Sequence, residues 1–210
     1  MIKENLLSKI EQRDIVVGVV GLGYVGLPLA VEKAKSGFKT IGFDVQDQKV
    51  EMVNAGHNYI GDVVDDDLAE IVKQGMLSAT NDFSFIKEVD FVAICVPTPL
   101  DKHQQPDISY VKASTEAISR YMKKGTMVVL ESTTYPGTTE ELVRPILEEG
   151  SGLKCGEDFY LGFSPERVDP GNLIYKTKNT PKVVGAIGDD ALEVIAAMYR
   201  AVLDSDVHTV

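Results

Sequence analysis

Several things are scarce in this sequence, and each scarcity excludes something. Only two cysteines occur in 210 residues, Cys95 and Cys155, and their separation matches no metal-ligand or redox spacing. A disulfide between them is not expected in a reducing compartment. No apolar run reaches the ~18 residues needed to span a bilayer. Met1-Ile2-Lys3-Glu4-Asn5 has neither the apolar core nor the small-residue cleavage site of a secretory leader. Positive charge is in deficit, with 21 Lys and Arg against 32 Asp and Glu and a net charge of −11. The only adjacent basic pair is Lys123-Lys124, so the chain should repel a phosphate backbone and nucleic acid is not an expected partner. Repeats and low-complexity stretches are missing as well. The expectation is a cytoplasmic protein with no membrane association and no metal.

What is present is ordinary globular usage, 44% hydrophobic and 25% charged. A chain of this size buries roughly 70% of its unfolded surface. Glu4 to Arg13 carries Leu6, Leu7 and Ile10 at helical spacing. Ile15 to Val20 is a continuous, largely β-branched run, which suits a strand covered on both faces of a parallel sheet. The alternation then recurs. Strands are expected at Lys39 to Phe43, Asp90 to Val96, Thr126 to Glu131, Phe159 to Phe163 and Lys182 to Val184. Helices are expected at Leu27 to Ser36, Gln46 to Asn54, Asp65 to Gln74, Ser109 to Met122, Thr138 to Glu149 and Ala191 to Val202. Strands alternating with helices, with no shift in composition, predict one α/β domain with a doubly wound, mainly parallel sheet and helices on both faces. Asp206 to Val210 has the character of a strand just begun, and the chain is expected to be cut from something longer.

Gly21-Leu22-Gly23-Tyr24-Val25-Gly26 follows the first strand and opens a helix. The pattern alone is weak, but an acid is expected about 20 residues on, at the end of the second strand, to bond ribose hydroxyls. Asp44 stands there, 18 residues after Gly26. In a Rossmann-type fold the first glycine permits the tight turn, the second lets a pyrophosphate approach the backbone, and the third lets helix and strand pack closely. The plain alternative is a tight strand-to-helix turn without a ligand. Asp44 is followed by Val45 and Gln46, with no arginine to receive a 2′-phosphate, which favours NAD over NADP.

Three later strands end in polar or proline-rich loops: Val96-Pro97-Thr98-Pro99, Glu131-Ser132-Thr133-Thr134-Tyr135-Pro136-Gly137 and Ser164-Pro165-Glu166-Arg167. Ligands of open α/β sheets bind outside the carboxyl ends of the strands, so these loops should converge beside the cofactor. Taken singly, each also reads as an ordinary turn with Ser or Thr as a helix N-cap.

These segments, together with Leu27-Pro28 after the glycine turn and Val168-Asp169-Pro170-Gly171-Asn172 after Arg167, resemble the N-terminal NAD-binding domain of the UDP-glucose/GDP-mannose dehydrogenase family. The third and fourth motifs are most similar to the branch acting on UDP-N-acetylhexosamines. UDP-glucose and GDP-mannose enzymes usually carry Pro-Glu-Phe-Leu and then a second glutamate, where this chain has Pro165-Glu166-Arg167-Val168-Asp169-Pro170. The resemblance implies oxidation of the sugar C6 alcohol to a carboxylate with two NAD, for polysaccharide biosynthesis. It implies that Gly21, Leu22, Gly23, Tyr24, Val25 and Gly26 hold the pyrophosphate, and Asp44 with Lys49 the adenosine ribose. Val96, Pro97, Thr98 and Thr133 would lie along the cofactor, with Thr133 also orienting a catalytic water. Glu166 would act as acid/base beside C6, where burial can tune a carboxyl toward neutrality, and Arg167 and Val168 would border the substrate.

The family holds its intermediate as a thioester on a cysteine of a Gly-Gly-His-Cys type motif in a C-terminal domain, beside a lysine and an asparagine of a central helix that also makes the dimer contact. No such motif occurs here, and neither Cys95 nor Cys155 matches that nucleophile. The chain is thus expected to bind NAD without completing the reaction, and its parent to be a homo-oligomer. The alternatives are a UDP-glucose 6-dehydrogenase of the same family and a non-enzymatic NAD-binding regulatory module. A DNA-binding regulator would carry a helix-turn-helix or a basic face, and the sequence offers neither.

Overall fold

A computed structural model describes residues 2–167, 171, 172 and 174–210. Its elements in chain order are α1 Ile2–Glu11, β1 Val17–Val20, α2 Gly26–Lys35, β2 Thr40–Phe43, α3 Asp47–Asn54, α4 Asp65–Lys73, β3 Leu77–Thr80, β4 Phe91–Ile94, α5 Ser109–Ser119, β5 Met127–Leu130, α6 Arg144–Ser151, β6 Tyr160–Phe163, β7 Lys182–Ala186, α7 Asp189–Arg200 and β8 Val207–Thr209. The sheet order is β3-β2-β1-β4-β5-β6-β7-β8. Strands β1 to β6 all run parallel, in the order of a Rossmann sheet.

The side chains of each central strand divide between two cores, as the two-residue period of a strand requires. Phe91 and Ala93 of β4 face the same core as Val17 and Val19 of β1, under α1, α2 and α7. Val92 and Ile94 face the other, with Val128 and Leu130 of β5, under α5 and α6. Both layers are needed because every side chain of β1, β4 and β5 is buried.

Several elements differ from the sequence expectation, among them a 3₁₀ helix at Phe83–Glu88 that has no counterpart in it. Leu77-Ser78-Ala79-Thr80 forms the edge strand β3, which hydropathy does not mark because only Leu77 and Ala79 turn inward. The helix expected from Thr138 to Glu149 is π-helical over Thr138–Val143 and α-helical from Arg144. Pro145 lies in the first turn of α6, the part of a helix where a missing N–H costs least.

The end of the sheet departs from the parallel pattern. Among the described residues the connection between β6 and β7 holds no helix, and a parallel return needs a crossover; β7 pairs antiparallel to β6. Gly162 pairs with Ala186 and Phe163 with Gly185, and continuing this register past β6 brings Glu166 opposite Lys182. The amino end of β7 therefore reaches the edge where the parallel strands have their carboxyl ends.

Candidate functional site

Those carboxyl ends open onto a cleft of about 510 Å³. Its walls come from the glycine turn after β1, Asp44 and Lys49 after β2, Cys95 to Thr98 after β4, Glu131 to Thr133 after β5, and Glu166 after β6. A second hollow of about 230 Å³ shares Gly21, Asp44, Lys49, Val96 and Pro97 with it and continues toward α5.

The glycine turn is built for close approach. Gly21 has φ +92°, and a Cβ on it would lie 2.8 Å from the Cys95 carbonyl oxygen. A Cβ on Gly26 would lie 1.8 Å from the Gly21 carbonyl oxygen, so α2 packs on β1 only through a glycine. At Gly23 a Cβ would meet nothing within 4 Å, which leaves open space over the middle of the turn. Val25 is the N-cap of α2 and no side chain caps it. Leu27 N–H donates to the Gly23 carbonyl at 3.1 Å and Pro28 has no N–H, so what the helix start offers outward is the positive end of its dipole and the N–H groups of the turn before Leu27.

Asp44 is 7% exposed and fixed by two backbone donors, Leu22 N–H to Oδ2 and Gln46 N–H to Oδ1, both at 2.9 Å. Lys49 Nζ stands 3.5 Å from Asp44 Oδ2. The loops are tied to one another. Ser132 Oγ donates to the Val96 carbonyl at 2.7 Å, and Thr98 Oγ1 to the Thr133 carbonyl at 2.7 Å.

At the floor of the cleft lies a buried ionic network. Lys182 Nζ donates to Glu131 Oε2 at 2.6 Å and to Glu166 Oε2 at 3.0 Å, and the Tyr199 hydroxyl donates to Glu131 Oε1 at 2.5 Å. Burial alone would lower the pKa of Lys182, but the two carboxylates outweigh it and raise it. The phenol of Tyr199 is pushed well up by burial and by Glu131. Lys33 is fully buried, with its Nζ 4.3 Å from the ring centre of Phe91 and 4.8 Å from that of Tyr199 and no hydrogen-bond partner. Burial lowers its pKa to about 8, against the pull of Glu131. Burial likewise raises the thiol of Cys95, and to a lesser degree that of Cys155, so neither is set up as a thiolate.

The sequence-predicted residues divide into two groups. Gly21, Gly23, Tyr24, Val25, Asp44, Lys49, Val96, Pro97, Thr98, Thr133 and Glu166 share the cleft wall. Leu22 and Gly26 are not on it. The Leu22 side chain is in the core and its N–H goes to Asp44, while Gly26 supports the turn from behind. Arg167 is exposed and off the wall, and its backbone N–H donates to Glu166 Oε1 at 2.7 Å. Val168 and Asp169 lie outside the described residues. Sequence reasoning does not single out Lys182, Tyr199 or Lys33. The available signal for Lys182 is the absence of a helical pattern between the sixth and seventh strands, because it implies an antiparallel return.

Open space over Gly23, an uncapped helix start and an immobilised acid on the adjacent strand give a diphosphate and a ribose both room and partners. The molecule is thus built as a Rossmann-type nucleotide-cofactor domain. The chain belongs to the UDP-glucose/GDP-mannose dehydrogenase family, whose NAD binding domain matches residues 15–203, and its cofactor is NAD. A UDP-N-acetyl-D-glucosamine 6-dehydrogenase of Pseudomonas aeruginosa is 38% identical over 196 residues, which is 93% of this chain and 46% of that protein. The crystal structure of an NDP-N-acetyl-D-galactosaminuronic acid dehydrogenase from Methanosarcina mazei Go1 matches with a TM-score of 0.89 at 37% identity, covering 99% of this chain and 46% of that one. GDP-mannose dehydrogenase of Pseudomonas aeruginosa, solved as a ternary complex, matches at a TM-score of 0.84 and 29% identity, covering 92% and 45%. The chain spans about half the length of the curated relatives it matches. Among the described residues no helix is long and apolar enough to cross a membrane.

Proposed function

We propose that this chain is the cofactor-binding part of an oligomeric nucleotide-sugar 6-dehydrogenase that oxidises the C6 alcohol of a UDP-N-acetylhexosamine to the uronic acid. The observation that carries the reading is the meeting of a diphosphate cradle, a ribose-binding acid and the Glu166–Lys182 pair in one cleft. The N-acetylhexosamine branch rests on the names of the most similar relatives.

The N–H groups of the turn before Leu27 hold the diphosphate at Gly23, where nothing stands in its way. Asp44 Oδ2 accepts from Leu22 N–H and Lys49 Nζ and Oδ1 from Gln46 N–H alone, which leaves an acceptor position on Oδ1 for a ribose hydroxyl. Val96, Pro97, Thr98 and Thr133 line the way from the ribose to the floor, and Thr133 orients water there. Bound NAD supplies the hydride acceptor, twice per sugar. A carboxylate oxygen of Glu166 takes the C6 hydroxyl proton as the alcohol is oxidised and returns a proton in the later hydrolytic step. The nucleophilic cysteine is supplied from outside these 210 residues, because both thiols here are held toward the neutral form.

Calorimetry on the chain tests this directly. NAD is expected to bind at one site, at least ~10-fold tighter than NADP, because the Asp44 carboxylate repels a 2′-phosphate. With UDP-N-acetylglucosamine added, no sustained NADH should form. Equal affinity for the two cofactors, or steady turnover by the chain alone, defeats the reading.

A further inference from the structure

We infer that Lys182 is the positioning residue of Glu166, and that Glu131 and Tyr199 exist to hold Lys182 in that place. The inference rests on the reading of Glu166 as the acid/base, and it adds a residue whose only link to the chemistry runs through that carboxylate.

The geometry runs in one direction. Tyr199 and Glu131 are 0% and 1% exposed, so the chain of contacts from Tyr199 through Glu131 and Lys182 to Glu166 starts in the core and ends at the cleft. Its inner end is closed to water, and it therefore serves as an anchor rather than as a route for protons to solvent. Lys182 lies on β7 beyond the residues that pair, Gly162 with Ala186 and Phe163 with Gly185, and Ser164 Oγ, donating to the Val183 carbonyl at 2.9 Å, holds the amino end of β7 beside the loop that carries Glu166. Glu166 itself sits on a loop, and the ammonium of Lys182 ties one of its oxygens to the rigid sheet.

The anchor also sets charge. Besides Lys182, the titratable or charged groups near Glu166 among the described residues include Cys95 at the end of β4, the adjacent Arg167, and Glu131 at the end of β5, which shares its ammonium, with Tyr199 on α7 and Lys33 on α2 standing behind Glu131. The ammonium of Lys182 is in direct contact with the carboxylate. At this distance it favours the ionised form, while Glu131 competes for the same ammonium. Lys182 and Glu131 should therefore move the titration of Glu166 in opposite directions. A purely structural role for Lys182 would not do this.

The test is a carbon-13 NMR titration of the Glu166 side-chain carboxyl in the 210-residue chain, assigned with Glu166→Gln. Lys182→Met alone would strand Glu131 in the core, so the informative variant is the double Lys182→Met/Glu131→Gln, in which the amide oxygen introduced by Glu131→Gln can still accept from Tyr199. Its Glu166 midpoint should rise by about one pH unit or more. Glu131→Gln alone should lower the midpoint, and Lys182→Arg should restore it close to wild type. An unchanged midpoint in Glu131→Gln overturns the inference even if the double variant does not fold, and so does a midpoint in the folded double variant that matches wild type. The titration uses neither NAD nor sugar. Failure to bind NAD would therefore strike the proposed function alone, and a silent titration would strike this inference alone.

Discussion

Lys33 is the residue whose chemistry fits its surroundings least well. Its ammonium has two aromatic faces and no hydrogen-bond acceptor, although the buried charges of Glu131 and Lys182 act on it. A pKa lowered from 10.5 to about 8 corresponds to a penalty of about 3 kcal/mol on the charged form, and the ring contacts offset ~1–2 kcal/mol of the burial cost. The sign follows from proton binding. Between about 8 and 10.5 the unfolded chain holds the proton and the folded chain releases it. Stability should therefore rise with pH through that window, with the full penalty present below it. Lys33→Met should stabilise the protein by about 1–3 kcal/mol at neutral pH and remove the rise. Urea denaturation of both proteins at neutral and alkaline pH measures this. A less stable variant, or a flat wild-type profile, goes against it.

At the scale of elements, the edge opposite the cleft has its own clamp. Asp90, just before β4, accepts from the Val16 N–H at 3.1 Å and pairs with Lys9 of α1 at 3.1 Å and with Lys123 at 3.0 Å. Burial works against its charge, yet the Val16 N–H and the two ammonium groups outweigh it and lower its pKa. A depressed acid contributes stability above its unfolded pKa and loses it as pH falls through the folded value. Asp90→Asn should thus cost about 1–3 kcal/mol at neutral pH and little in acid, where the wild type has already lost the contribution. Thermal melts at the two pH values give the comparison, and an equal loss at both would contradict the assignment.

The elements also show what can be read from sequence and what cannot. The runs Ile15 to Val20 and Met127 to Leu130 announce buried parallel strands because both faces are covered. The glycine turn and Asp44 are legible because a fixed spacing carries a fixed geometry. β3 is not legible, since an edge strand buries only alternate residues. Lys182 escapes for a related reason. Its role depends on the direction of β7 and on a register set through β6, and local periodicity contains neither.

Over the whole molecule, a net charge of −11 coexists with the proposed site for a cofactor whose diphosphate carries two negative charges. The two are compatible because the cradle consists of backbone N–H groups at a helix start rather than basic side chains, with Lys49 close by. Half of the length of the relatives lies beyond what this chain spans, and the proposed division of labour follows: cofactor and acid/base here, nucleophile elsewhere. The most direct measurement is an amide-resolved NMR titration of the chain with NAD. Saturable shifts should concentrate at Gly23, Tyr24 and Val25, next at Asp44 and Thr98, and leave the Asp90 clamp untouched. Saturable shifts centred on any other surface, or none in a well-dispersed spectrum at millimolar NAD, would contradict the account.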